Sequence, residues 1–337
     1  MAPVFTGNHF GFGVNKEFSE PPQIEATGGS KSGPTGGYYI HTFTSSGSLT
    51  VTSGKNSDNK LLVVAGGGAG AYNRNGGGGG GGVIYLTDTP DIEIETGTYP
   101  VTVGSGSPET EGQAWGTGGN GQNSSALGYT ATGGGAGTSP GGSGGGITNS
   151  QPTNQCTGTG PGHPGSADAE TPGPIASAGG WGNPGGLGWY CGHAQCTAGG
   201  GGGGARTAGE AHTYGPNPWA GELPTGGSQG GNGAVYTITG SPYTYSGGGG
   251  GGLGQNGNTP TCTGGNGNGG GGQAGRSPGT CPQPGFNSKH GTDATTYGSG
   301  GGGGGGYQPG SPFGQPSAGK GGAGGNGIVV ICYPDGS

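Results

Sequence analysis

Residues 60–86 read KLLVVAGGGAGAYNRNGGGGGGGVIYL, so two apolar runs stand on either side of a glycine-rich stretch. The runs Lys60–Val64 and Val83–Leu86 are short and rich in β-branched residues, which is typical of strands. Glycine cannot contribute a side chain to an apolar core, and seven glycines in succession at 76–82 fill most of the return path. The stretch therefore predicts two strands joined by a long glycine-rich connection.

Other strands are predicted on both sides of this stretch. Leu49 alternates with Val51 around polar residues, as expected when one face of a sheet is buried. Glycine and proline interrupt every window long enough for a helix, so we expect essentially no α-helix and an all-β fold. The further predicted strands are 38–43, 48–52, 91–95, 99–103 and 328–333.

The composition is far from that of an ordinary globular enzyme. The chain has 337 residues, of which 102 are glycine and 26 are proline. Leu, Ile, Val and Phe make up about 11% of it, which is too little for a large apolar core. A net charge of −7 is too small to keep the chain expanded by self-repulsion. We therefore expect an ordered chain in which something replaces the apolar core.

Charge and hydropathy also exclude several partners. The nine basic residues are scattered singly and form no stripe that would follow a phosphate backbone, which disfavours nucleic-acid binding. The longest apolar stretch, Leu61 to Ala65, is too short for a membrane span. The N-terminus lacks the charged and apolar regions of a secretion signal. We expect a soluble chain without membrane insertion.

Contiguous glycine runs recur at 199–204, 247–252, 269–272 and 300–306. Collagen is excluded because its triple helix needs glycine strictly at every third residue. The runs instead predict polyglycine II helices, which have three residues per turn and no internal hydrogen bonds. Their amides must then bond to neighbouring segments, which requires a bundle. The alternative is that the runs are flexible linkers.

These patterns divide the chain into four parts. Residues 1–37 are predicted to be an extended anchoring arm, and 38–103 a part rich in β-strands. Residues 104–327 are predicted to form the glycine bundle with its loops, and 328–337 the closing strand. The arm carries four aromatic anchors, and we expect it to dock on a partner or to fold back over its own sheet. These anchors are Phe5, Phe10, Phe12 and Phe18.

The ordered set of motifs resembles the glycine-rich domain of bacteriophage tail-fibre and virion structural proteins. The motifs run through residues 39–51, 61–70, 97–104 and 245–252 to the ending GGNGIVVICYP at 324–334. The last motif departs from the family at Cys332, where we expect arginine. A more distant likeness is to the glycine-rich extracellular domain of anaplastic lymphoma kinase receptors. That likeness implies that the strands of 38–103 and the closing strand in 328–337 form a jelly-roll-like β-sandwich, with the polyglycine II bundle as an insertion.

Matches to catalytic motifs are at the level of chance. The pattern G-x-S-x-G occurs at Ser139, Ser143, Ser228 and Ser277, as expected in a chain so rich in glycine and serine. Residues 314–321 approach a phosphate-binding loop but lack its final Ser or Thr and the helix that must follow. We expect no enzyme activity and no cofactor.

The chain has six cysteines, and disulfide bonds between them could supply stability that a small apolar core does not. The favoured pairs close short loops, and a third pair follows by elimination unless Cys332 is a buried thiol. Cys191, His193 and Cys196 also offer three zinc ligands, but no fourth ligand has a recognisable spacing, so no metal is predicted. The predicted pairs are Cys191 with Cys196, Cys262 with Cys281, and Cys156 with Cys332.

Aromatic residues concentrate in the spacers between glycine runs. Their rings are suited to stacking on sugars of a host surface, or alternatively to covering the bundle and shielding its hydrogen bonds. The candidate contact residues are Trp115, Trp181, Trp189, Tyr190, Tyr214 and Trp219.

Taken with the resemblance, these features predict a non-enzymatic structural protein of the virion, a tail-fibre or adhesin subunit. The expected partners are other virion proteins through the arm, further copies of the chain in a homo-oligomer, and a host surface glycan or protein. Two alternatives remain open: a capsid or baseplate decoration protein, and a self-assembling extracellular fibre or matrix protein.

Overall fold

The computed structural model describes residues 23–73, 75–87, 92–110, 118–137, 139–147, 182–190, 196–211, 227–255, 267–275, 290–306 and 318–336. Its regular structure is all-β, and these residues contain no helix. The strands are β1 (Glu25–Thr27), β2 (Ser30–Thr35), β3 (Tyr38–Phe43), β4 (Gly47–Asn56), β5 (Lys60–Val64), β6 (Val83–Leu86), β7 (Ile94–Thr102), β8 (Ser124–Ala126), β9 (Tyr129–Ala131), β10 (Trp189–Tyr190), β11 (Cys196–Ala198), β12 (Ala234–Tyr236), β13 (Tyr243–Tyr245), β14 (Leu253–Gln255) and β15 (Ile328–Pro334).

Two five-stranded antiparallel sheets contain most of these strands. The first sheet has the order β1-β4-β7-β8-β9, and the second has the order β2-β3-β15-β5-β6. Strand β15, from the end of the chain, lies between β3 and β5, where Val330 pairs with Thr42 on one side and Leu62 on the other. Strand β15 is therefore the central strand of the second sheet, and it joins β3 to β5.

The two sheets pack face to face around one apolar core. Leu49 and Val51 contribute to it from β4, and their alternation with exposed Ser48 and Thr52 reproduces the pattern in the sequence. Further members come from both sheets, including Ile94, Val101, Leu61, Val63, Val329, Ile331 and Tyr333. The sandwich is therefore stabilised by an ordinary apolar interior.

The second sheet is buried on its outer face as well. Leu62 and Val330 point to this side and belong to a second apolar cluster. The hairpin of β12 and β13 covers it, and the rings of Tyr85 and Tyr236 lie 4.3 Å apart between their centroids. Burial raises the pKa of Tyr236 to about 12. Burial on both faces explains why β5 and β15 are continuous apolar runs.

The all-β class and most of the predicted strands are confirmed. The predicted strands 38–43, 60–64 and 83–86 have the bounds of β3, β5 and β6. The predicted strands 91–95 and 99–103 differ, because β7 runs continuously from Ile94 to Thr102.

The structure also differs from the predicted boundaries of the arm and of the glycine region. Strands β1 and β2 lie within 1–37, and Ile24 is buried in the sandwich core. Gly28 and Gly29 have φ of 124° and 58°, so glycine provides the turn that carries the chain from the first sheet to the second. Strands β8 and β9 lie within 104–327 yet belong to the first sheet.

Candidate functional site: the glycine bundle

The glycine runs lie against one another and are joined through their main chains. Between β5 and β6 the chain forms two antiparallel segments, 65–71 and 76–82. The N–H of Ala65 donates to Gly82 O at 3.0 Å, and three residues later Gly68 donates to Gly79 O at 2.9 Å. Every third amide of one segment thus bonds to the same neighbour.

The remaining amides of segment 65–71 bond to other segments, again with a repeat of three residues. Gly66 and Ala69 donate to the segment 118–122 at 3.0 and 3.1 Å, while Gly67 and Gly70 donate to the segment 319–327 at 2.9 and 3.0 Å. The carbonyl oxygens of 65–71 accept from three further segments. These acceptor bonds come from residues in 105–110, 133–137 and 300–306.

A segment of this kind pairs its buried N–H and C=O groups without forming an α-helix or a β-sheet. The three-residue repeat of its hydrogen bonds is the repeat expected of a helix with three residues per turn. Segment 76–82 shows the same rhythm, since Gly77 and Gly80 donate to segment 199–204 at 3.1 and 2.9 Å. The glycines of 76–82 are all buried.

Close approach of the backbones makes glycine obligatory at many positions of the interior, although alanines such as Ala69 are buried there as well. A Cβ on Gly78 would overlap the carbonyl group of Gly68, and a Cβ on Gly202 would overlap that of Gly78. The obstructing atoms belong to the main chain, which cannot move aside as a side chain can. The residues of this interior are therefore fixed by shape rather than by hydrophobicity.

The sandwich and the bundle give the molecule two distinct ends. At the base, the side-chain amide of Gln23 donates to Asp335 O, so the two ends of the described chain lie together. Pro334 pairs with Tyr38 at this end, while Ile328 at the other end of β15 pairs with Val64, where the glycine segments begin. We call the end of the bundle remote from the sandwich the distal end.

The bend at Tyr72 and Asn73, which we call the distal turn, marks the distal end. Asn75 O accepts from Gly252 N–H at 2.9 Å, and Asn73 N–H donates to Gly319 O at 3.1 Å. The three-stranded sheet of β10, β11 and β14 continues from this end, since β11 and β14 adjoin the bonded pair Gly199 and Gly252.

Few of the predicted contact residues fall within the described chain. Trp189 and Tyr190 form β10 at the distal end. The other predicted aromatic contacts and all four anchors of the arm lie outside the described residues: Trp115, Trp181, Tyr214, Trp219, Phe5, Phe10, Phe12 and Phe18.

Cys332 is a free, buried thiol, the second of the two alternatives for this residue. Its Sγ lies 3.8 Å from Ile238 O, and burial raises its pKa to about 12. The backbone of Cys196 belongs to β11. The remaining cysteines of the predicted pairs lie outside the described residues: Cys156, Cys191, Cys262 and Cys281.

Charges are sparse around the bundle. Lys320 Nζ lies 3.7 Å from Glu109 Oε1 on the surface, where an ion pair contributes little. Within the described segments, no three His, Cys, Asp or Glu side chains are grouped closely enough to hold a metal ion. The described part of the chain also has no helix that is long and apolar enough to span a membrane.

One set of residues was not predicted from the sequence: the polar side chains that bond to the main chain of the outer glycine segments. Asn120 and Asn123 are an example: their Oδ1 atoms accept from Ala136 and Gly133 at 2.9 and 2.8 Å. Their spacing of three residues, equal to the repeat of the bundle, was a signal in the sequence that could have identified them.

This architecture is that of a glycine-rich domain, and the comparison with family profiles agrees. The glycine-rich domain family matches residues 42–334, and the chain belongs to this family. No curated protein is significantly similar to the chain.

Proposed function

We propose that this chain is a non-enzymatic structural protein of a virion, a bacteriophage tail-fibre or adhesin subunit. The observation that carries the proposal is the hydrogen-bonded glycine bundle, which stands on the sandwich at the end opposite to Gln23 and Asp335. A molecule with such an arrangement is suited to being held at its base and to presenting its distal end.

In this proposal the glycine segments are polyglycine II helices inserted into a jelly-roll-like sandwich. The three-residue repeat of the bonds from segment 65–71 supports the first part. The packing of two five-stranded antiparallel sheets around one core supports the second.

Rigidity is what the bundle provides to an attachment protein. An interior segment such as 76–82 bonds to several neighbours, so bending it requires many hydrogen bonds to break together. Loops fixed to a rigid support lose little conformational entropy on binding, which favours affinity. A host surface glycan or protein is the proposed ligand of the distal end.

The segments that bracket the predicted contact residues support this placement. Thr110 Oγ1 donates to Gly70 O at 2.5 Å, next to the distal turn, and residue 110 precedes the stretch that contains Trp115. Glu210 O accepts from Gly201 N–H at 3.1 Å near Gly199, and residue 211 precedes the stretch that contains Trp219.

The base is proposed to attach to other virion proteins. The chain reaches the sandwich at Gln23, and the 22 residues before it include the aromatic anchors of the arm. Docking of these anchors on a neighbouring subunit would fix the base, and further copies of the chain would form a homo-oligomer.

Immuno-electron microscopy of virus particles, prepared from the cells in which this chain is produced, tests the proposal. Antibodies against the folded chain should label particles at a fixed copy number, at the tail fibres or tail tip. Label on the capsid or baseplate alone would instead assign a decoration role. Absence from particles, with open polymers formed by the purified chain, would contradict the proposal and favour the matrix alternative.

A further inference from the structure

The outer segments of the bundle have amides that bond to side chains rather than to main chain. In segment 133–137, Gly134 and Gly137 donate to segment 65–71 at 2.8 and 3.1 Å, and Gly135 donates to another segment at 2.9 Å. With three residues per repeat, the amides of such a segment point in three directions. Two directions are therefore occupied by neighbouring main chains.

The third direction is occupied by side chains. Gly133 and Ala136, three residues apart, donate to Asn123 Oδ1 at 2.8 Å and to Asn120 Oδ1 at 2.9 Å. Both asparagines are exposed and are themselves three residues apart. Two side chains thus accept the bonds that a further glycine segment would otherwise accept.

The same arrangement recurs on a second outer pair of segments. Thr207 Oγ1 accepts from Asn232 N–H at 2.8 Å, and Glu210 Oε2 accepts from Gln229 N–H at 3.3 Å. The acceptor side chains are again three residues apart and exposed, and they bond to amides three residues apart in antiparallel order.

A third pair follows the same rule on parallel segments. His290 Nδ1 accepts from Lys320 N–H at 3.0 Å, and Asp293 Oδ1 accepts from Ala323 N–H at 2.7 Å. In all three pairs the acceptor side chains are three residues apart, which indicates that they have a common role. We call Asn120, Asn123, Thr207, Glu210, His290 and Asp293 the capping residues.

Uncapped amides on a glycine surface are a site for association. The edge of a β-sheet has the same liability, since its free N–H and C=O groups pair with another chain unless side chains or bulges obstruct them. A second copy of this chain is the natural occupant, because its outer segments carry the same donors and acceptors in the same three-residue repeat.

We infer that the capping residues end the bundle laterally and prevent a second copy of this chain from adding its glycine segments to it. The side chains accept the hydrogen bonds that the backbone of an added segment would otherwise accept. Association through the arm or the sandwich is left open. The inference rests on these contacts alone and not on the proposed virion role.

Removal of the caps from two outer pairs tests the inference. Association is measured by sedimentation of the full chain over a range of concentrations, and by electron microscopy. Without caps, association should be half complete at a concentration at least tenfold lower than in the natural chain. The decapped variant combines Asn120→Ala, Asn123→Ala, Thr207→Val and Glu210→Ala.

Two controls separate capping from a change of surface. Gln122→Ala alters an exposed side chain on the segment of the first pair and should leave association unchanged. Variants that keep an acceptor should also behave as the natural chain, because the outward amides stay bonded. These are Asn123→Asp, Thr207→Ser and Glu210→Gln, with Asn120 left unchanged because its Nδ2 also donates to Pro140 O.

A decapped chain that is folded and keeps the mass of the natural chain at every concentration overturns the inference. If the fourfold variant loses its cooperative thermal transition, the two double variants are read in the same way. The variant of Asn120 and Asn123 removes three hydrogen bonds, including the one from Asn120 Nδ2 to Pro140 O, and the variant of Thr207 and Glu210 removes two. The cost is about 1 kcal/mol per bond. Folded double variants that do not associate would equally overturn it.

Discussion

Gly78 shows at the scale of a residue how the bundle replaces an apolar core. Its N–H donates to Gly301 O at 2.8 Å, and its own carbonyl accepts from Gly249 N–H at 2.9 Å. The hydrogen atom in place of a side chain lets the backbone of Gly68 lie directly against it. Hydrogen bonding and close packing therefore depend on the same missing methyl group.

Gly78→Ala should destabilise the protein by about 3 kcal/mol, the upper end of the range for overpacking, because main-chain atoms of segment 65–71 obstruct the new Cβ. The matched control is Gly97→Ala in β7, where the nearest atoms lie at 4.0 Å. The control should be neutral or slightly stabilising. Unfolding in denaturant measures both, and equal effects would contradict this account of the glycine.

His41 is a buried titratable residue of the sandwich. Its Nδ1 donates to Gly28 O at 2.7 Å, at the turn between the first two strands, and its Nε2 lies 3.2 Å from the hydroxyl of Tyr333. Burial lowers the pKa of His41, and the charge of nearby Lys31 lowers it further, while the hydrogen bond to Gly28 opposes them. The folded state therefore favours the neutral imidazole.

Stability should fall on acidification below pH 6.5, the ordinary pKa of histidine. The unfolded chain binds a proton that folded His41 resists, so its contribution is present above that pH and is lost below it. The slope from one such group cannot exceed about 1.4 kcal/mol per pH unit.

Denaturant unfolding of the natural chain and of His41→Gln between pH 7.5 and 5.5 measures the effect. The variant keeps a side-chain donor but does not titrate, so its stability should change less with pH over this interval. Parallel pH profiles for the two proteins would show that His41 is not the responsible group.

At the scale of elements, the sequence predicted best the strands that bury large side chains. Strands β5 and β6 are β-branched runs bounded by polar and glycine residues, and their bounds were predicted. Strand β2, SKSGPT, has neither an apolar residue nor alternation, and all six of its residues are exposed. Only its pairing with β3 makes it a strand, and local sequence carries no information on that pairing.

Strand β15 should be essential for folding, because it bonds to β3 and β5 and buries apolar residues on both faces. A chain ending at Gly327 should lose the cooperative thermal transition, although the strands of residues 38–103 remain. The matched truncation after Asp335 should retain it. Calorimetry of the two proteins decides, and a stable fold without β15 would contradict the central role of this strand.

The glycine segments were predicted to pair, but their partners were not. A run such as 199–204 has no side chains that could select one neighbour or register over another. The polar residues at their ends carry that information, as with Asn183, whose Nδ2 donates to Gly204 O at 2.8 Å. The choice of neighbour therefore depends on contacts that exist only in the assembled bundle, and the sequence of one segment does not predict it.

At the scale of the whole molecule, sandwich and bundle stabilise each other. The sandwich holds both ends of segments such as 65–82 through β5 and β6, which limits the entropy that the glycines lose on pairing. Val64 continues directly into this segment, and Tyr245 into the run at 247–252. Neither part is predicted to be ordered alone.

The concentration of apolar residues in 38–103 and 328–333 was enough to predict the strands, whereas their arrangement as a sandwich was implied by the family resemblance. The position of the distal end was not predictable, since it follows from the direction of each segment relative to the sheets. The aromatic contact residues stay a prediction, because most of them lie outside the described residues.

Amide hydrogen exchange of the full chain, measured by NMR with labelled glycine, tests the central claim most directly. If glycine segments replace an apolar core, their glycine amides in 66–70, 77–82, 199–204, 248–252 and 300–304 should exchange at least ~10³-fold more slowly than in unstructured peptides. Exchange of these amides at the rate of free peptides, in a chain whose β15 amides are protected, would contradict it.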